Sequence, residues 1–257
     1  MMQQERGTPV ASVKTLDNKT NKLDDIDSVD SANAPFVEEN VQAGHWRSLV
    51  KVDNSTLKPI SGMSAAAKRA EDFVGGLVAL FLLTPVMLII SVIIKLDSTG
   101  PALFCQARSG RNREVIKVYK FRTMYQDNNQ VFKQAQKDDP RITRVGAFLR
   151  RTSLDELPQL FNVIQGSMSL VGPRPHPLKL DEDFKYVIPA LNSRYSVKPG
   201  ITGWAQICGF RGETSKVSDM VARIEHDRYY IKNWSLWLDF KILFKTAFKG
   251  WTHKNAY

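Results

Sequence analysis

Cysteine is nearly absent from this 257-residue chain: Cys105 and Cys208 stand far apart, with no CxxC spacing. That scarcity argues against a disulfide framework and a thiolate zinc site, and fits two free thiols in a reducing compartment. Histidine is also scarce, and His45, His176, His226 and His253 show no metal-ligand spacing. The chain contains no P-loop, no GxGxxG and no HExxH, which sets aside P-loop, dinucleotide and zincin chemistry. It has no internal repeat and no nucleic-acid recognition module, so basicity alone is weak support for DNA or RNA binding. No secretory signal is expected, because the first long apolar run lies too deep in the chain.

Negative charge is in deficit. Lys and Arg number 36 against 26 Asp and Glu, a formal net charge of +10. The imbalance is local: residues 1–60 carry a net of −2 and residues 61–257 a net of +12. A basic folded part suits anionic lipid, nucleic acid or a phosphorylated substrate. Residues 1–60 are rich in Asp, Asn, Ser, Thr and Lys and poor in large apolar side chains. They read as a disordered polar tail.

Residues 73–94 form a run without charge. As a helix it would measure about 33 Å, enough to cross a hydrocarbon core of about 30 Å. Lys68 and Arg69 precede it and Lys95 comes after it, so both flanks are basic; the positive-inside rule then places both ends on one side. Thr84-Pro85 sits mid-run. Proline removes a backbone donor there, and the threonine hydroxyl can serve a helix carbonyl. A helix over 64–97 broken at Thr84-Pro85 and re-entering the same face fits these features. A straight crossing with a proline kink stays open, as does a core helix of a soluble protein.

Residues 98–257 are soluble in character. Residues 102–108 and 114–121 alternate in part around Ser109-Gly110-Arg111-Asn112, which predicts a β-hairpin. Residues 126–140 read as a loop, 154–165 as a short helix ended by Gly166, 171–177 as a stiff Pro-rich loop and 218–233 as a helix. In residues 236–249, Lys241, Lys245 and Lys249 share one helical face beside Leu236, Trp237, Phe240, Phe244 and Phe248. That pattern suits a helix lying in a membrane interface; an ordinary surface helix is the alternative.

Two adjacent carboxylates open the segment Ser153-Leu154-Asp155-Glu156-Leu157-Pro158-Gln159. Arg141, Arg144, Arg150 and Arg151 precede them, and Arg174 comes later in Gly172-Pro173-Arg174-Pro175. Such a pair among cations suits phosphate chemistry: one carboxylate attacks phosphorus, the other holds a divalent metal, and guanidinium groups hold phosphate oxygens. The competing reading is structural. Ser153-Leu154-Asp155-Glu156 matches a capping box, and acids in a first helical turn suit the macrodipole.

From Lys68 onward the chain resembles the bacterial sugar transferases, the monotopic polyprenyl-phosphate phosphoglycosyl transferases. The likeness rests on Lys68-Arg69 ahead of the apolar segment with Thr84-Pro85, on Lys120-Phe121-Arg122-Thr123-Met124, and on Asp139-Pro140-Arg141-Ile142-Thr143. It continues through the Asp155-Glu156 block, Met168-Ser169-Leu170-Val171-Gly172-Pro173-Arg174-Pro175, and Val197-Lys198-Pro199-Gly200-Ile201-Thr202-Gly203-Trp204-Ala205-Gln206. The resemblance implies an α-rich α/β protein with a re-entrant membrane helix and a catalytic domain on the cytoplasmic face of the bacterial inner membrane. It implies Asp155 as nucleophile toward a UDP-sugar, UMP as leaving group and polyprenyl phosphate as acceptor. Glu156 would hold Mg²⁺, while Arg150 and Arg174, with Lys120 and Arg122, would bind substrate phosphate. Asp227 would be a further active-site acid. Lys68, Arg69, Lys241, Lys245 and Lys249 would face the membrane surface. The block from Cys208 to Thr214 and the ending from Lys249 to Tyr257 look most like members that start exopolysaccharide repeats, with UDP-glucose expected ahead of UDP-galactose. A UDP-N-acetyl sugar donor and a non-catalytic membrane scaffold are the alternatives. Larger members carry several transmembrane helices where this chain has its polar tail.

Overall fold

The computed structural model describes residues 57, 60–125, 139–212 and 217–249. The tail apart from Leu57 and Ile60, most of the 126–140 loop, Glu213 and Thr214, and the ending from Gly250 lie outside the described residues. The fold is helix-rich and mixed, with two small sheets and one long apolar helix.

That helix, α1, is Gly62–Asp97. It is one helical element through Pro85, so Thr84-Pro85 does not divide it into two helices; proline inside a helix is a point of kinking. Thr84 Oγ1 donates to the Leu80 carbonyl at 2.6 Å, a local bond of the kind that lets helices tolerate proline. Only 17% of its most apolar window is buried, so the run is mostly exposed, unlike a helix enclosed in a core. Phe81, Leu82, Leu88 and Leu96 are among the exposed side chains.

The opposite side of α1 docks on the body along both halves. Near its start, Asp72 Oδ1 accepts from Leu170 N–H and Ser169 Oγ, both at 2.9 Å. Beyond Pro85, Met87, Ile90 and Ile94 pack with Phe121 and Leu149.

The predicted hairpin is present. Strands β1 (Leu103–Ser109) and β2 (Val115–Phe121) pair antiparallel, Leu103 opposite Phe121 and Ser109 opposite Val115. Helix α2 (Arg144–Thr152) is next, N-capped by Thr143 Oγ1 accepting from Gly146 N–H at 2.8 Å. Residues 154–165 are not one helix. A single 3-10 turn, Leu154–Glu156, precedes α3 (Gln159–Gln165), because Pro158 has no N–H to continue the first turn. Gly166 ends α3 with a left-handed φ of 88°, as predicted.

Strands β3 (Ser169–Val171) and β4 (Gly200–Thr202) pair in parallel, Ser169 beside Gly200 and Val171 beside Thr202. A crossover bearing α4 (Leu178–Phe184) and a 3-10 segment (Pro189–Ser196) joins them. Two motif blocks meet here. A Cβ on Gly172 would stand 2.5 Å from the Lys198 carbonyl oxygen, and one on Gly200 would strike the Gly172 backbone. Glycine at both positions lets the Arg174 loop lie directly on β4. Helices α5 (Trp204–Ile207), α6 (Val217–Lys232) and α7 (Leu236–Lys249) complete the fold. The main core, including Val163, Met168, Val171, Tyr230 and Ile242, lies among α3, β3, α6 and α7.

Candidate active site

Four segments place charged groups around one point. The backbone turns sharply at Ser153, φ 61°, between α2 and the 3-10 turn that carries Asp155 and Glu156. Both acids are buried, at 8% and 5% exposure. Lys120 arrives from β2, Arg174 from the loop after β3, and Arg211 from the turn after α5.

The two carboxylates are held differently. Glu156 is gripped on both oxygens. Arg174 Nη2 donates to Oε1 at 2.5 Å and Nη1 to Oε2 at 3.1 Å. Lys120 Nζ donates to Oε1 at 3.0 Å, and Arg211 Nη2 approaches Oε2 at 3.5 Å. Burial opposes the charge on Glu156, but Arg174, Lys120 and Arg211 outweigh it and hold its pKa well below the usual carboxylate range. Asp155 accepts no hydrogen bond among the described residues, and its one ion pair there is with Lys120 Nζ at 4.0 Å. Burial pushes its pKa up, with Glu156 beside it adding to the rise and Lys120, Arg174 and Arg150 pulling the other way.

The capping-box alternative fails on this geometry. Ser153 makes no side-chain cap bond, and its buried Oγ has no partner among the described residues. The Glu156 carboxylate goes to three cations. Counting Arg108 and Arg150, which share the same field, cations outnumber the two acids. A dry site with that surplus attracts phosphate.

Comparison with known proteins agrees. The family model of the bacterial sugar transferases matches residues 63–253. The chain belongs to this family. A UDP-glucose:undecaprenyl-phosphate glucose-1-phosphate transferase of Escherichia coli (strain K12) is 51% identical over 77% of the chain and 43% of its own length. An exopolysaccharide production protein of Rhizobium leguminosarum bv. phaseoli is 45% identical over 76% of the chain and 100% of its own length. A UDP-N-acetylgalactosamine-undecaprenyl-phosphate N-acetylgalactosaminephosphotransferase of Aeromonas hydrophila is 46% identical over 72% of the chain and 44% of its own length. The chain thus spans less than half the length of the first and third.

In this family member, Asp155, Glu156, Lys120 and Arg174 come together. Arg150 stands near Asp155, its Nε donating to Thr123 Oγ1 at 2.9 Å. Arg122 does not join them. Strand β2 ends at Phe121 and the chain turns, so the Arg122 guanidinium donates to the Ser98 and Thr99 carbonyls just past α1. Asp227 sits one layer back. It accepts from Arg194 Nε at 3.1 Å, and Arg194 Nη2 donates to the Arg174 carbonyl at 2.5 Å. Through Arg194 it is linked to the Arg174 backbone, with no contact to Asp155 or Glu156 among the described residues.

Lys68 and Arg69 do not face outward. Lys68, 8% exposed, pairs with Asp239 at 2.7 Å, Asp72 at 3.0 Å and Glu71 at 3.5 Å. Arg69 donates to the Val163 and Ile164 carbonyls near the end of α3, each at 2.7 Å. Docking α1 on the body turned these cations into internal anchors. Lys241 is exposed, and Lys245 stands 5.9 Å from the Trp204 ring; the Lys249 side chain lies outside the described residues. Trp237, Phe240, Phe244 and Phe248 point outward from α7, while Asp239 and Ile242 are fully buried.

Sequence reasoning did not single out Arg211, although it lies within the Cys208–Thr214 block. It also missed Arg223. From α6 this arginine donates to the Phe210 carbonyl at 3.0 Å and the Gly212 carbonyl at 2.5 Å, fixing the backbone on either side of Arg211.

Proposed function

We propose that this protein transfers a hexose-1-phosphate, glucose ahead of galactose, from a UDP-sugar to polyprenyl phosphate. The observation that carries this reading is the unequal pair: Asp155 unencumbered, Glu156 immobilised by three cations. An Asp155 oxygen attacks the phosphorus that bears the sugar. The bond from that phosphorus to the bridging oxygen breaks, and UMP departs with the electron pair. A phosphate oxygen of the lipid then attacks the same phosphorus, the Asp155–phosphorus bond breaks, and the carboxylate is regenerated. Two half-reactions let a water-soluble donor and a lipid acceptor use one centre in turn, and they imply ping-pong kinetics.

Lys120 and Arg174 lower the repulsion between the carboxylate and an anionic substrate and hold phosphate oxygens; Arg150 contributes from the Asp155 side. Mg²⁺ belongs to the proposal with Glu156 as its ligand. Among the described residues no group of three acidic, His or Cys side chains could enclose a metal. Mg²⁺ commonly binds through one or two carboxylates plus substrate phosphates, so this pair fits a cation that arrives with the donor. Once bound it would neutralise charge developing on the leaving phosphate. Glu156 would then exchange part of its grip on Arg174 and Lys120.

The membrane placement is likewise proposed: a re-entrant α1 with the catalytic part on the cytoplasmic face. Its support is that both halves of α1 pack on the same body while the intervening apolar side chains stay exposed. The outward aromatic row of α7, flanked by Lys241 and Lys245, suits headgroup depth. The first membrane step of exopolysaccharide synthesis is the matching role, given how the Rhizobium relative is named.

The test is UMP release by detergent-purified protein with Mg²⁺ and undecaprenyl phosphate, using UDP-glucose, UDP-galactose and UDP-N-acetylgalactosamine separately. Lipid-dependent UMP from UDP-glucose, lost in Asp155→Asn, is expected. Release only from the N-acetyl donor would shift the sugar to that of the Aeromonas relative. Release from no donor by folded protein would favour the scaffold.

A further inference from the structure

A cavity of about 240 Å³ opens beside Glu156. Its polar lining includes Ser153, Glu156, Gln206 and Arg211. Leu83, Leu160, Ile201 and Ala247 are among its apolar walls, and Thr152, Thr202 and Thr246 also line it. Two of the apolar walls have a common character. Leu83 lies mid-run in α1, two residues before Pro85, and Ala247 lies on α7. These are the elements that expose long apolar faces.

The polar lining is incompletely paired. Ser153 Oγ and Gln206 Oε1 are buried without a hydrogen-bond partner among the described residues, and Gln206 is only 6% exposed. Buried polar atoms left unpaired are costly, so such a pair marks a place for a ligand. Arg211 supplies positive charge there. It lies 3.5 Å from Glu156 and is one of two arginines that reach that carboxylate.

We propose that this cavity is the acceptor subsite: Arg211 and Ser153 hold the phosphate of a polyprenyl phosphate, and the apolar walls between α1 and α7 take its first isoprene units. The inference rests on the reading given under Proposed function. The Ser153 hydroxyl donates to one phosphate oxygen, and Gln206 Oε1 accepts from a protonated one. Asp155 does not line the cavity. Arg150 and the exposed side of Asp155 are thereby left to the donor, so the two substrates approach the centre from different sides. A nucleoside or sugar would not need walls contributed by α1 and α7, whereas a chain leaving the bilayer would run between them.

The experiment uses the full chain in lipid nanodiscs with two variants, Arg211→Gln and Ala247→Trp. The donor step is read alone, as phosphohexose mass added to the protein by UDP-glucose without lipid. The acceptor step is read as the KM for undecaprenyl phosphate. Arg211→Gln removes one charge-assisted contact and should raise that KM about ten- to a hundredfold; because Arg211 also holds Glu156, the adduct readout is taken on Ala247→Trp. Ala247→Trp fills the chamber and should act in the same direction without touching a charge. An unchanged KM in both variants would overturn the proposal. So would adduct formation in Ala247→Trp falling as steeply as lipid turnover, which would put the cavity with the donor. If wild-type protein forms no adduct and releases no UMP, the function reading itself falls and the subsite with it.

Discussion

Replacing Arg174 by lysine separates charge from geometry at the centre of the site. Arg174 meets Glu156 through two nitrogens, at 2.5 and 3.1 Å, and its carbonyl is fixed by Arg194. Lysine keeps the positive charge but offers a single point of contact on a flexible stem. One charge-assisted hydrogen bond is lost, worth about 1.5–3 kcal/mol. If that bond is maintained or transferred to phosphate as the reaction proceeds, the rate falls roughly ten- to a hundredfold. The Glu156 pKa should also rise, because burial remains while part of the opposing attraction is gone. Single-turnover UMP release is the assay, with adduct mass as the second readout. The expected result is a slower approach to the same final adduct level, with the acid limb of the pH–rate profile moved toward higher pH. A folded Arg174→Lys protein with wild-type rate and profile would refute a direct role for the two-pronged contact.

Other consequences are equally concrete. Lys68→Met strands Asp72 and Asp239, which are 2% and 0% exposed, and should cost about 3–5 kcal/mol in urea unfolding; an unchanged midpoint would mean the pair was not held as charges. His176 is buried beside Asp181, and burial with nearby Arg194 drives its pKa from 6.5 to about 3. The unfolded chain therefore binds a proton that the folded chain refuses, so stability should fall as pH drops from 6.5 toward 3, and His176→Gln should flatten that fall. Phe244→Asp alters an exposed aromatic and should leave the melting temperature alone while weakening vesicle binding about ten- to a hundredfold, from roughly 1.5–3 kcal/mol of lost apolar transfer; undiminished binding would remove α7 from the interface.

Much of the fold was legible because it depends on neighbours in sequence. Alternation around Ser109-Gly110 specifies a hairpin, and Gly166 can take the left-handed turn that ends α3. The Asp155-Glu156 block located the site, since two acids among arginines suit few chemistries. A local reading that failed was the continuous helix over 154–165, and Pro158 already held the reason.

What tertiary structure alone decided is where each charge is spent. Lys120 and Arg122 are two residues apart, yet one grips Glu156 and the other the chain just past α1. Lys68 and Arg69 look like membrane flanks in sequence and become internal anchors once Asp239 and the end of α3 are brought beside them. Asp155 and Glu156 are adjacent and chemically alike. Burial pushes both pKa values up; Lys120, Arg174 and Arg211, contributed by three distant segments, reverse the shift at Glu156 alone. Helical and strand periodicity arise from backbone geometry and can be read locally, whereas the partner of a charged side chain is set by whatever the fold brings within a few ångströms.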